Sequence, residues 1–265
     1  MSAILEVADL RKSYAGVHAL DGVSFSVEAG SVTGLIGPNG SGKSTAIDCI
    51  SGFQKRDGGR IVLAGADISG RPAHHIARAG LMRTFQTVRI YDRLSLRDNL
   101  AVAAQQFDPA TWVDELLRTR RYREAVEQAE GRARELVELI GLERYYEIET
   151  GILSYGQKKL VALAAALMPR PKIVVLDEPV AGVNPSRIRE IEVALAQLNR
   201  AGETFLIVEH NVEFITNLCH RVIVLDQGRK LAEGTAHEIH TDARVLEAYL
   251  GMTPEMAEAE MRGMA

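Results

Sequence analysis

Residues 37–44 read Gly-Pro-Asn-Gly-Ser-Gly-Lys-Ser and fit the pattern G-x-x-x-x-G-K-[ST]. This octapeptide constrains the fold before anything else does. Glycines at 37, 40 and 42 let the backbone turn tightly enough for successive N–H groups to face a polyphosphate. Lys43 is placed to reach the β- and γ-phosphates, and the Ser44 hydroxyl suits Mg²⁺. Such a loop works only between a strand and the N-terminus of a helix, whose dipole favours anions. The flanks meet that demand. Val32-Thr33-Gly34-Leu35-Ile36 predicts a short buried strand, and Ser44 to Ile50 predicts a helix.

The chain has 265 residues, enough for one large α/β domain or two small ones. A net charge of −4 argues against a protein that coats nucleic acid. The two cysteines, Cys49 and Cys219, form no C-x-x-C pair, so both are expected reduced and buried. The N-terminal residues lack a basic segment followed by a long apolar core, so no signal peptide is expected. The apolar run Leu160 to Met168 is about half the length that spans a bilayer. Any membrane role is therefore expected to act through a partner.

Residues 4–28, punctuated by Gly16, Gly22 and Gly30, predict antiparallel strands and turns, and Arg60 to Gly65 predicts another strand of that sheet. From about Arg71 the pattern becomes helical, most clearly over 112–140. Ala129, Ala133, Leu136, Val137 and Ile140 fall on one helical face, and Arg118, Arg120, Arg121 and Arg123 read as a solvated basic face. Lys172–Leu176 and Thr204–Val208 are continuous apolar runs, as parallel strands covered on both faces should be, and a third run, Arg221–Leu225, ends at the turn signal Asp226-Gln227-Gly228. A helix is predicted over 186–200, between the first two of these.

The strand at 173–176 ends in Asp177-Glu178-Pro179. A carboxylate at the carboxyl end of a parallel strand lies where α/β folds bind ligands. Asp177 there suits Mg²⁺ through water, and Glu178 suits a base that polarises the attacking water. Ser154, in Leu153-Ser154-Tyr155-Gly156-Gln157, predicts a helix N-cap and a second anion-binding helix end. Since the loop at 37–44 already holds one side of a nucleotide, this second end is explained if it serves the nucleotide of a partner subunit.

Taken in order, these pieces resemble an ATP-binding-cassette (ABC) ATPase, from about Leu5 to Gly251. The resemblance implies a P-loop NTPase α/β fold: a RecA-like, mostly parallel core sheet, an antiparallel β subdomain, and a helical subdomain at about 88–165. The ATPase domain would span 1–252 and a tail 253–265. It implies that ATP and Mg²⁺ are bound, the nucleotide by Tyr14 against adenine and by Gly37, Pro38, Asn39, Gly40, Ser41, Gly42, Lys43, Ser44 and Thr45. Gln86 would sense Mg²⁺ and the attacking water, so that Ser44, Gln86 and Asp177 form the metal set. Glu178 would be the general base and His210 a switch contacting the γ-phosphate. Ser154, Tyr155, Gly156 and Gln157 would be the signature that meets the ATP of a second cassette. Tyr155 stands where many members have glycine, and Asn184 where many have aspartate.

Ala181-Gly182-Val183-Asn184-Pro185, Tyr155-Gly156-Gln157, Arg83 to Ile90 and the ending Ala248-Tyr249-Leu250-Gly251 are similar to one branch, the ATP-binding subunits of branched-chain amino-acid importers. That branch implies permease subunits in the membrane, a second cassette, an indirect solute-binding partner, no nucleic acid, and a peripheral place on the cytoplasmic membrane face. The alternatives are the ATPase of a lipopolysaccharide or lipid exporter, and a non-transport ABC ATPase.

Overall fold

The computed structural model describes residues 3–105 and 112–250. In chain order its strands and helices are β1 (Ala3–Tyr14), β2 (Val17–Glu28), β3 (Val32–Ile36), α1 (Lys43–Ile50), β4 (Gly58–Leu63), β5 (Ala66–Asp67), α2 (Ala73–Ala79), β6 (Leu81–Arg83), α3 (Leu96–Gln105), α4 (Trp112–Leu116), α5 (Arg120–Leu139), α6 (Tyr155–Leu167), β7 (Ile173–Asp177), α7 (Pro185–Arg200), β8 (Phe205–Val208), α8 (Val212–Leu218), β9 (Arg221–Asp226), β10 (Arg229–Gly234), α9 (Ala236–Thr241) and α10 (Ala243–Leu250). The tail expected from residue 253 lies outside the described residues, as do 106–111 within the expected helical region.

Two sheets form. An antiparallel sheet has the order β2-β1-β4-β5, and a six-stranded sheet has the order β10-β9-β3-β8-β7-β6. In the larger sheet β9, β3, β8, β7 and β6 run parallel, and β10 pairs antiparallel with β9. The unbroken apolar runs explain its burial. Phe205 and Ile207 of β8, with Val174 and Leu176 of β7, join the core shared with α3, α5, α6, α7 and α8. Their alternates Leu206, Val208, Ile173 and Val175 join the core shared with the antiparallel sheet and α1. Successive strand side chains point to opposite faces, so a strand covered on both sides must be apolar throughout.

Three local readings change. Gly22 is not a turn but lies inside β2 at a φ of 80°, where Leu10 pairs with Val23 and Arg11 with Asp21. It marks a bulge, a place where glycine tolerates the left-handed backbone. The stretch after Arg71 is not wholly helical, because β6 adds a strand beside β7. The helical run over 112–140 is broken after α4: Arg118 takes a φ of 45°, and Thr119 then caps α5, its hydroxyl accepting from the Tyr122 N–H. On α5 the expected apolar face is buried at Ala133, Leu136 and Val137, and the four basic side chains from Arg118 to Arg123 are exposed.

Candidate ATP-hydrolysis site

The parallel sheet gathers the chemistry at one edge. The loop at 37–42 leaves the carboxyl end of β3, Asp177 and Glu178 close β7, Glu209 and His210 follow β8, and Thr84 to Gln86 follow β6. Because β3, β8, β7 and β6 are adjacent and parallel, four chain segments distant in sequence emerge side by side.

The loop turns into α1 through Gly42, at a φ of 101°. A Cβ there would lie 2.5 Å from the Ala19 carbonyl oxygen, and one at Gly37 (φ 154°) would overlap the carbonyl of Leu225. Both positions therefore require glycine. Lys43 Nζ donates to the carbonyls of Gly37, at 2.6 Å, and Pro38, at 3.0 Å, which folds the ammonium over the loop. Burial holds its pKa below the ordinary lysine value, opposed by the nearby Glu178 carboxylate. Asn39, Gly40 and Ser44 are exposed, Pro38, Gly42 and Thr45 half-buried, and Ser41 buried. Tyr14 stands at the end of β1 on the other sheet, partly exposed, with the Lys12 ammonium 5.1 Å from its ring centroid.

Gln86, Glu178 and His210 come together. Gln86 Nε2 donates to Glu178 Oε2 at 2.7 Å, and His210 Nδ1 lies 3.9 Å from Glu178 Oε1. Glu178 adopts a φ of 49°, a left-handed backbone rare for a residue with a side chain. Its N–H donates to the Val208 carbonyl at 2.9 Å, which fixes the turn to the neighbouring strand. A non-glycine residue held in this region stores strain of the kind found at functional sites.

Two residues at this edge have no role assigned by the sequence. The Arg83 side chain is almost wholly buried against the rings of Phe53 and Phe85, and its Nη2 donates to Asp177 Oδ2 at 2.9 Å while Nη1 binds Asp48 and Ser51. Glu209 is 1% exposed. Its carboxylate accepts from the N–H groups of Val180, His210 and Asn211, which ties the segment after Glu178 to the histidine turn.

At the other candidate anion site, Ser154 is the N-cap of α6 in a full capping box. Its hydroxyl accepts from the Gln157 N–H, and the Gln157 side chain accepts from the Ser154 N–H. Gln157 is thus a buried structural cap, while Ser154 is half-buried and Tyr155 is 43% exposed. Asn184, where the family resemblance leads one to expect aspartate, caps α7: its side chain accepts from the Ser186 N–H at 3.1 Å. Asparagine and aspartate cap about equally well, so the helix start survives the exchange.

Known proteins share this chain's sequence pattern and fold. A family model described as ABC transporter matches residues 20–181, and one described as branched-chain amino acid ATP-binding cassette transporter matches residues 229–251. The chain is 36% identical over 249 residues to the high-affinity branched-chain amino acid transport ATP-binding protein BraF of Pseudomonas aeruginosa, covering 94% of this chain and 98% of that protein. It is 35% identical, over the same shares, to the corresponding protein LivG of Escherichia coli K12. Among solved structures, the ADP conformation of MJ1267, an ATP-binding cassette of an ABC transporter, superposes with a TM-score of 0.81 at 35% identity, covering 95% of this chain and all of that one. These relatives favour the importer branch over the exporter alternative. The chain belongs to the ABC transporter family of ATP-hydrolysing cassettes, in its branched-chain amino-acid branch.

Proposed function

We propose that this chain hydrolyses ATP at the sheet edge built from its phosphate loop, Glu178, Gln86 and His210, and so powers uptake of branched-chain amino acids or related small solutes through separate permease subunits. The single observation that carries the site is the hydrogen-bonded pair Gln86–Glu178 at the strand ends. The solute class rests on the relatives named above and on the C-terminal match. Among the described residues no helix is long and apolar enough to cross a membrane. The membrane path thus falls to partner subunits, with this chain peripheral on the cytoplasmic face.

Glu178 acts as general base. Its Oε2 is held by Gln86, which leaves Oε1 to take a proton from the attacking water. His210, on the Oε1 side, donates to the γ-phosphate oxygens as charge develops. Lys43 exchanges its loop carbonyls for the β- and γ-phosphates. The donor set fits Mg²⁺: a Ser44 hydroxyl and the Gln86 amide oxygen that remains once its nitrogen serves Glu178 are hard oxygen ligands, and the Asp177 oxygen not held by Arg83 would hold the ion through water. When bound, Mg²⁺ neutralises charge on the phosphates. The capped start of α6 at Ser154 faces the nucleotide of a second cassette, so the working unit is a pair.

Transport measurement tests the reading. Deleting the gene in its native host should abolish uptake of radiolabelled leucine, isoleucine or valine. The wild-type chain should restore it and Glu178→Gln should not. Unchanged uptake of all three after deletion sinks the solute assignment. Affinity purification from solubilised membranes should retrieve integral permease subunits.

A further inference from the structure

The first two turns of α6 touch both members of the Gln86–Glu178 pair. The Tyr155 hydroxyl donates to the Gln86 main-chain carbonyl at 3.2 Å. One helical turn later, Lys159 Nζ donates to the Glu178 main-chain carbonyl at 2.7 Å. Residues at i and i+4 share a helix face, and here the lysine ammonium also lies 5.5 Å from the Tyr155 ring centroid. Gln86 and Glu178 are themselves joined at 2.7 Å. The contacts therefore close a ring: helix, Tyr155, Gln86, Glu178, Lys159, helix.

The ring acts where the backbone needs support. Glu178 sits at a φ of 49°, and its carbonyl accepts from Lys159 as well as from the Ala181 N–H at 3.2 Å. Lys159 is half-buried; burial holds its pKa below the ordinary lysine value, opposed by the nearby Glu209, Glu178 and Asp177 carboxylates. The Tyr155 ring also packs on Gly182, where an added Cβ would lie 3.3 Å from Cε1. The segment that follows the base thus leans on the same side chain. A glycine in place of Tyr155 could make none of these contacts.

We propose that Tyr155 and Lys159 are positioning residues for hydrolysis in their own chain, a clamp on α6 that sets the Gln86–Glu178 pair. Tyr155 then belongs less to the partner's nucleotide than to its own chain's base. The helix whose first residues meet one ATP holds the catalytic base of the other, so any displacement of α6 alters Glu178 directly. The proposal rests on the reading of Glu178 as base.

Steady-state ATP hydrolysis and calorimetric ATP binding by the purified full chain test it, with Tyr155→Phe, Lys159→Met, the double variant, Lys159→Arg and Glu178→Gln. Loss of one neutral hydrogen bond predicts a kcat lowered about 2- to 10-fold for Tyr155→Phe, and loss of a charged one about 10-fold or more for Lys159→Met. KM and Kd for ATP should stay within about twofold, since the clamp touches no phosphate. The double variant should lose less than the product of the single losses, because the two contacts serve one pair. Lys159→Arg, which can still donate to the carbonyl, should recover most of the turnover. Both single variants at wild-type kcat, or losses matched by weaker ATP binding, would overturn the clamp. If Lys159→Met does not fold, Lys159→Gln replaces it under the same criteria. Full turnover by Glu178→Gln would instead remove the base reading, and the clamp with it.

Discussion

Gln86 and Glu178, ninety-two positions apart in sequence, are joined by a 2.7 Å hydrogen bond from the glutamine amide to the glutamate carboxylate. The bond orients one carboxylate oxygen and leaves the other toward His210. A base so held should dominate the rate. Replacing Glu178 by Gln should slow hydrolysis by roughly 10²–10⁴, the usual contribution of a general base, with ATP affinity retained. Single-turnover hydrolysis beside calorimetric ATP binding checks it. Near-normal turnover would exclude Glu178 as the base.

Lys43 gives the complementary case. Its ammonium bonds only loop carbonyls among the described protein groups, and no carboxylate oxygen lies in salt-bridge contact with it. Its charge is available to phosphates. Lys43→Ala should weaken ATP binding about 10-fold or more, as expected for charge-assisted bonds to the β- and γ-phosphates, while the thermal transition of the protein changes little. Titration of ATP into the variant measures this. An unchanged Kd would mean that the loop is not the nucleotide site.

What could be read from the sequence was local. The strand, loop and helix around Gly37–Ser44 are contiguous, so their residues specify them directly. The parallel strands announce themselves because burial on both faces leaves no place for polar alternation. Ser154 was legible as a cap because a hydroxyl before a helical run has one local use. Most of the omissions are tertiary. The strand Leu81–Arg83 is too short to show a period and exists only because β7 pairs with it. Arg83 and Glu209 are charged types normally expected at the surface, and only the fold reveals that the side chain of each is buried and paired. The break between α4 and α5 does carry a local signal, the Thr119 cap before α5. The roles of Tyr155 and Lys159 depend on which way one face of α6 points, and no spacing encodes that.

Arg83 offers a stability test. Its forked guanidinium joins Asp48 on α1 to Asp177 on β7, from a position 8% exposed at the side chain. Removing it strands two carboxylates, one of them 16% exposed. Arg83→Met should destabilise the protein by about 1–3 kcal/mol, the cost of leaving a buried polar group without its partner. The solvent access of Asp48 keeps the loss from the upper range of buried pairs. Arg83→Lys should recover little, since one ammonium cannot span both acids. Urea unfolding gives the numbers, and a midpoint equal to wild type would mean that the bridge contributes nothing.

The two cysteines supply a prediction in pH. Cys49 on α1 and Cys219 beyond α8 are both buried and free, and burial pushes their thiols up to about 11 and about 12. In the unfolded chain a thiol ionises near ~8.5. Above that pH the unfolded state has lost protons that the folded state still holds, so stability falls as pH rises and is unaffected by these groups below it. The window runs from about pH 9 up to the folded values. A urea midpoint measured at pH 8 and again at pH 10 should drop. The drop should shrink in Cys219→Ala, which removes the group with the larger shift. At pH 8 both thiols should resist a soluble disulfide reagent in the native protein and react fully after denaturation, because the reactive thiolate is scarce and enclosed. Rapid labelling of either residue in the native state would contradict the burial that raises both values.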